Sequence, residues 1–171
     1  MSYLVISPLS QLHKVAKQHQ PREMITLLKA GTAVECPIMV NPEKHYFLSL
    51  NDITYQQDNL IMPNAAHIDD IVTIAYNWDR AHPLLIHCLM GISRSTACAF
   101  IIACTLNPQI SEHEIAAILR KNAPFATPNH LMIDLADQKL GRSGCMRVAI
   151  NKIGRGAEAS EGIPFIMPVN F

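Results

Sequence analysis

Residues 83–106, PLLIHCLMGISRSTACAFIIACTL, set two segments with no wet side next to each other. PLLIHC shows no polar alternation until its end, the pattern of a strand covered on both faces. TACAFIIAC is apolar on nearly every side, so the helix predicted over roughly Arg94 to Leu106 is buried as well. A doubly covered strand that feeds a buried helix restricts the chain to a layered α/β architecture around a mostly parallel sheet. The turn between them carries His87, Cys88 and Arg94, polar and reactive groups in a run that otherwise excludes them.

The flanking sequence agrees with this architecture. YLVIS (3–7), EMITLLK and HYFLSL read as further short strands, each an apolar run bounded by polar or turn residues. Ser7-Pro8 predicts an N-cap and first-turn proline for a helix carrying Leu9, Leu12 and Ala16. After the polar loop NDITYQQDN, Pro63-Asn64 introduces a helix with Ile68, Ile71, Val72, Ala75 and Trp78 on one face and Asp69, Thr73 and Asn77 on the other. Asn107-Pro108 stops the buried helix. Ser111 and Glu114 predict a capping box for a helix with Ile115, Ile118 and Leu119 that ends at Pro124. Thr127-Pro128 starts another, which runs to a glycine stop at Gly141. The expected fold is therefore α/β, a three-layer sandwich with a mostly parallel central sheet flanked by helices. It forms one domain over residues 1–154. GRGAEASEG (154–162) reads as a flexible link to the apolar tail IPFIMPVNF. Residues 155–171 then either fold back over the domain or dock on a second copy to make a homodimer.

With 171 residues, 49% of them hydrophobic, the chain is long enough for one substantial core. Fourteen basic and fourteen acidic residues cancel, which argues against nucleic acid or an anionic membrane as partner and leaves any charged ligand to a local feature. MSYLVISPLS lacks the basic and long apolar regions of a signal peptide, and no later stretch reaches the ~18 apolar residues of a membrane span. A cytoplasmic location is expected. Five cysteines form no CxxC pair and eight histidines fall in no zinc-type spacing, so reduced thiols, no metal and no cofactor are expected.

In open α/β sheets ligands bind at strand carboxyl ends, where the turn into the next helix points backbone N–H groups outward. Cys88 falls at that position. If residues 89–94 curl ahead of the helix, their N–H groups converge, with the helix dipole behind them, into a cradle for an anion with several oxygens. Gly91 permits the positive φ such a curl needs, and Arg94 offers a planar fork of donors to two oxygens. The environment that holds an oxyanion also favours a thiolate, the nucleophilic form of cysteine.

HCLMGISRS resembles the His-Cys-x5-Arg-Ser/Thr signature of cysteine-dependent protein tyrosine phosphatases, and its G-x-S-R-S ending resembles the dual-specificity branch. FLSLNDI, the helix before the signature strand, and TPN are similar to that branch too, so that the resemblance spans residues 45–140. It implies a phosphatase-type phosphate-binding loop and a phosphoric monoester hydrolase working through phosphocysteine. Cys88 is then the nucleophile. Leu89, Met90, Gly91, Ile92 and Ser93 bind phosphate together with Arg94, Ser95 assists the leaving thiolate, and His87 organises the loop. Asp52 stands where such phosphatases place their general acid, with Asp58 on the same loop as competitor, whereas Asp69 and Asp70 fit a solvated helix face. Asn129 matches a position of the branch but equally suits a helix first turn. Met90 departs from the branch, which usually carries alanine there. Cys98 and Cys104 read as packing residues, and nothing brings Cys36 near the loop.

Rival chemistries for a cysteine in an anion cradle are rhodanese-like sulfur transfer, arsenate reduction, a phosphate-binding module without catalysis, and a phosphoinositide or RNA 5′-phosphatase. The uncharged residues 89–93 argue against a lipid headgroup. Apolar Leu89, Met90 and Ile92 favour an aryl group, so the expected partner is a phosphorylated protein or a small aryl phosphate.

Overall fold

The computed structural model describes residues 2–171. Its elements follow the order β1 (Tyr3–Pro8), α1 (Leu12–His19), β2 (Glu23–Leu28), β3 (His45–Ser49), α2 (Ala65–Asn77), β4 (Leu84–Cys88), α3 (Arg94–Leu106), α4 (Glu112–Asn122), α5 (His130–Lys139), α6 (Cys145–Ile153) and β5 (Phe165–Pro168). The sheet runs β3-β2-β4-β1-β5, parallel except for β5, which pairs antiparallel with β1. β4 is central and every residue in it is buried, as its unbroken apolar run requires.

Side-chain alternation divides the core between the two faces of the sheet. Leu4, Ile6, Ile25, Leu27, Leu84 and Ile86 point to the side covered by α2 to α5. Val5, Met24 and Leu85 point to the other, where Leu12, Val15 and Ala16 of α1 and the coil around Val40 cover them. The sandwich is therefore three-layered and lopsided. α3 lies against the sheet with twelve of its thirteen residues buried, whereas α6 packs on α4 and α5. Glu23, the one charge inside β2, is closed off by Lys44 Nζ at 2.6 Å and by the Tyr46 hydroxyl at 3.2 Å.

Four local expectations change. β1 extends through Pro8, which aligns with Cys88, so Ser7 caps no helix: its hydroxyl donates to the Pro8 carbonyl, and a 3-10 turn over Leu9–Gln11 precedes α1. Ser111 caps α4 through His113 N–H, but the reciprocal half of the expected capping box is not formed. α6 was not legible in the sequence because its cap is supplied from elsewhere. Buried Asp137, on α5, accepts from Gly144 N–H at 2.6 Å and from Met146 N–H at 2.7 Å. Residues 154–162 form a fixed path across the 124–127 turn, with Ala157 N–H on the Pro124 carbonyl and Gly156 N–H on Thr127 Oγ1. Arg120 anchors its start by donating to the carbonyls of Pro124, Ala126 and Gly154. The unit does not stop at residue 154, since β5 completes the sheet. Among the described residues no helix is long and apolar enough to cross a membrane.

Asp137→Ala leaves the part-buried Gly144 N–H and the buried Met146 N–H at the start of α6 without their charged acceptor, and the expected cost is about 2–3 kcal/mol. Urea unfolding measures it as a fall in midpoint at unchanged slope.

Candidate active site

The register of the sheet builds the site. Ser7, Thr26 and His87 lie in one row across β1, β2 and β4, all fully buried, and Cys88 ends β4 one residue later. Thr26 Oγ1 lies 2.7 Å from His87 Nε2 and 2.8 Å from His45 Nε2. A hydroxyl has one hydrogen, so it donates to one imidazole and accepts from the other. Burial pushes His87 down to about 4 and lowers His45, which leaves both rings neutral at neutral pH. His87 thus ties the end of β4 to β2 through Thr26.

Beyond Cys88 the chain curls through Gly91 at φ +69°, where a Cβ would sit 2.8 Å from Pro8 N and 3.1 Å from Pro8 Cδ. Only glycine fits both the angle and the space. The loop's carbonyls are held from outside: Leu89 by Leu9 N–H at 3.1 Å, Met90 by Gly162 N–H at 2.8 Å, Ile92 by Thr127 N–H at 3.0 Å, and Ser93 by Asn129 N–H at 3.4 Å. In a planar trans peptide the C=O and the following N–H point in opposite directions. The N–H groups of Met90, Gly91, Ser93 and Arg94 therefore face away from these donors. For Gly91 that direction is the Cys88 sulfur, at 3.3 Å. Ser95 Oγ approaches the same sulfur to 3.2 Å.

α3 starts at Arg94 without a side-chain cap. Its N-cap residue, Ser93, donates its hydroxyl to Asp52 Oδ1 at 2.7 Å, so the first-turn N–H groups keep no side-chain acceptor. Arg94 is 93% buried by accessible area, since 7% of its surface is exposed. It donates to the Leu50 carbonyl at 2.9 Å, its Nε has no hydrogen-bond partner, and no carboxylate pairs with it among the described residues. A cation buried this far without a counter-charge is costly, and an oxyanion in front of it offsets that cost.

The Asn129 amide bonds in two directions. Its oxygen caps α5 through Met132 N–H at 3.1 Å, while its nitrogen donates to Asp52 Oδ1 at 2.9 Å and to the Ile53 carbonyl at 3.3 Å. Asp52 is thereby tied to the loop and to the start of α5 at once. Asp58 makes no such contact, and Asp69 of α2 pairs with Lys139 of α5. A groove lined by Asp52, Ile53, Tyr55, Gln57, Ser93 and Asn129 opens beside the loop, and Leu89 and Met90 expose apolar side chains. Burial pushes the Cys98 and Cys104 thiols up, in keeping with packing, and Cys36 packs on the opposite face of the sheet from the cluster that holds Cys88. No group of metal-ligating side chains occurs among the described residues. Thr26, Thr127 and Gly162, which hold His87 and the loop carbonyls from outside the signature, were not singled out in the sequence as site residues.

No family model and no curated protein matches this chain. Solved structures with a similar fold include the PTP-2 phosphatase of Cydia pomonella, at 14% identity over 78% of this chain and 83% of that one, with a TM-score of 0.61. A mouse putative dual specificity phosphatase complexed with zinc tungstate matches at 13% identity over 81% and 80%, TM-score 0.57. The Yvh1 phosphatase domain from Chaetomium thermophilum matches at 19% identity over 82% and 91%, TM-score 0.54. The resemblance carried by HCLMGISRS is met at the level of the fold.

The depressed His87 gives a pH signature. Between its folded value of about 4 and its ordinary value of 6.5, the unfolded chain binds a proton that the native ring refuses. Stability is therefore full above pH 6.5 and falls as pH drops towards 4, by about 3 kcal/mol for this group. In urea unfolding across that range, His87→Asn should show a visibly shallower pH slope than the native chain.

Proposed function

We propose that this chain is a phosphoric monoester hydrolase of the protein tyrosine and dual-specificity phosphatase type, acting through a phosphocysteine without metal or cofactor. The observation that carries the reading is the Ser93–Asp52 hydrogen bond, which tethers a carboxyl group to the same loop that holds Cys88 and the unpaired Arg94. Sulfur transfer or mere phosphate binding has no need of that acid.

In this reading the phosphoryl oxygens lie against the N–H groups of Leu89 to Arg94 and the Arg94 guanidinium. The Cys88 thiolate attacks phosphorus. As the sulfur–phosphorus bond forms, the phosphorus–oxygen bond to the leaving group breaks, and its electron pair stays on an oxygen that takes a proton from the Asp52 carboxyl. Water then attacks the phosphocysteine, giving its proton to Asp52, and the sulfur departs as thiolate with Ser95 donating a hydrogen bond. Ser93 and Asn129 hold Asp52 in place, and His87 holds the base of the loop. Exposed Leu89 and Met90 with the groove at Tyr55 support an aryl ester, so the substrate is a phosphorylated protein or a small aryl phosphate. A cytoplasmic setting fits a thiol nucleophile and five free cysteines.

Cys88→Ser should abolish hydrolysis of p-nitrophenyl phosphate and still bind tungstate, and acid quench of the native enzyme should trap phosphate on Cys88. Asp52→Asn should lower kcat about 10²-fold on phenyl phosphate, and less on p-nitrophenyl phosphate, whose leaving group departs without a proton. Full activity in either variant is incompatible with the reading.

A further inference from the structure

GRGAEASEG has the composition of a link, yet two of its three glycines occupy places with no room for a side chain. A Cβ on Gly156 would overlap the Phe125 backbone, and one on Gly162 would lie 2.7 Å from both the Gly91 carbonyl oxygen and Phe125 Cε2. Gly162 is buried, and its N–H is the sole donor to the Met90 carbonyl among the described residues. Ser10 Oγ holds the preceding residue by donating to Glu161 Oε1 at 2.7 Å. These glycines are there for close approach, not for freedom of movement.

The Met90 carbonyl and the Gly91 N–H belong to one peptide plane. Whatever fixes the former outward fixes the latter on the Cys88 sulfur. We infer that Gly162 is a positioning residue for the phosphate loop: residues 155–162 act as an outer clasp, and the absent side chain lets that clasp reach Met90 and set the peptide that faces the nucleophile. This rests on the reading of residues 88–94 as an oxyanion cradle, and it assigns a part in the site to a segment outside the signature.

The test uses the full chain. Gly162→Ala keeps the N–H and adds a methyl group against the Gly91 carbonyl and the Phe125 ring. The expected result is at least about ten-fold weaker tungstate binding, with amide hydrogen exchange over residues 89–94 faster by a similar factor and the exchange of β1, β2 and β4 unchanged. Phe125→Leu added to Gly162→Ala frees the ring but leaves the carbonyl crowded, so both effects should persist. Unchanged binding and exchange in Gly162→Ala, or recovery of both in the double variant, overturns the inference. If Gly162→Ala does not fold, Ser10→Ala decides, since it loosens the clasp without adding atoms: exchange over residues 89–94 should rise about two- to five-fold, and no rise overturns the inference. A native chain that binds tungstate but cleaves no monoester refutes the hydrolase and leaves this result standing, and one that binds no tungstate is judged on exchange alone.

Discussion

A peptide plane cannot turn its oxygen and its hydrogen to the same side, and the site depends on that constraint. Five residues between a strand and a helix have no ladder of their own to orient them. They are oriented instead by four backbone donors outside the loop, from Leu9, Gly162, Thr127 and Asn129. These come from the end of β1, the segment before β5 and the approach to α5, so distant stretches of chain converge to settle the direction of a few N–H bonds. The sheet supplies the platform, because Pro8 stands opposite Cys88 and leaves space at Gly91 for no side chain at all.

Two buried charges show how differently the fold treats its ends. Glu23, at the start of β2, is matched by Lys44 and Tyr46 and is a finished structural pair. Arg94, where β4 gives way to α3, meets only a neutral carbonyl. The chain had the means to neutralise a charge inside its sheet and did so at one end alone. Asp52 is engaged instead by Ser93 and Asn129, which ties it to the loop without pairing it with the guanidinium.

The central strand and its buried helix were legible because burial on all sides leaves an unambiguous apolar run, and α3 spans Arg94–Leu106 as that run predicts. His87, Cys88, Gly91, Arg94 and Asp52 were legible because each is set by near neighbours in sequence or by a signature spacing. What escaped was whatever depends on a distant partner. α6 starts on a carboxylate from α5, the Ser7 hydroxyl turns to its neighbour's carbonyl because Leu9 N–H is committed to Leu89, and the glycines of residues 154–162 look mobile until the surfaces they touch are known. Composition reports how free a segment is in isolation, and contact decides how free it is in the fold.

Closing the sheet with β5 also sets an order of assembly. Ser10 and Glu161 are 151 residues apart in sequence, and β1 waits for β5 before its second edge is paired. Contacts of such long separation are the slow ones to form, because the loop-closure entropy comes first. As the chain leaves the ribosome, the hydrophobic layers can condense well ahead of the clasp, so the loop after β4 should take its final shape last, after most of the compact mass is already in place.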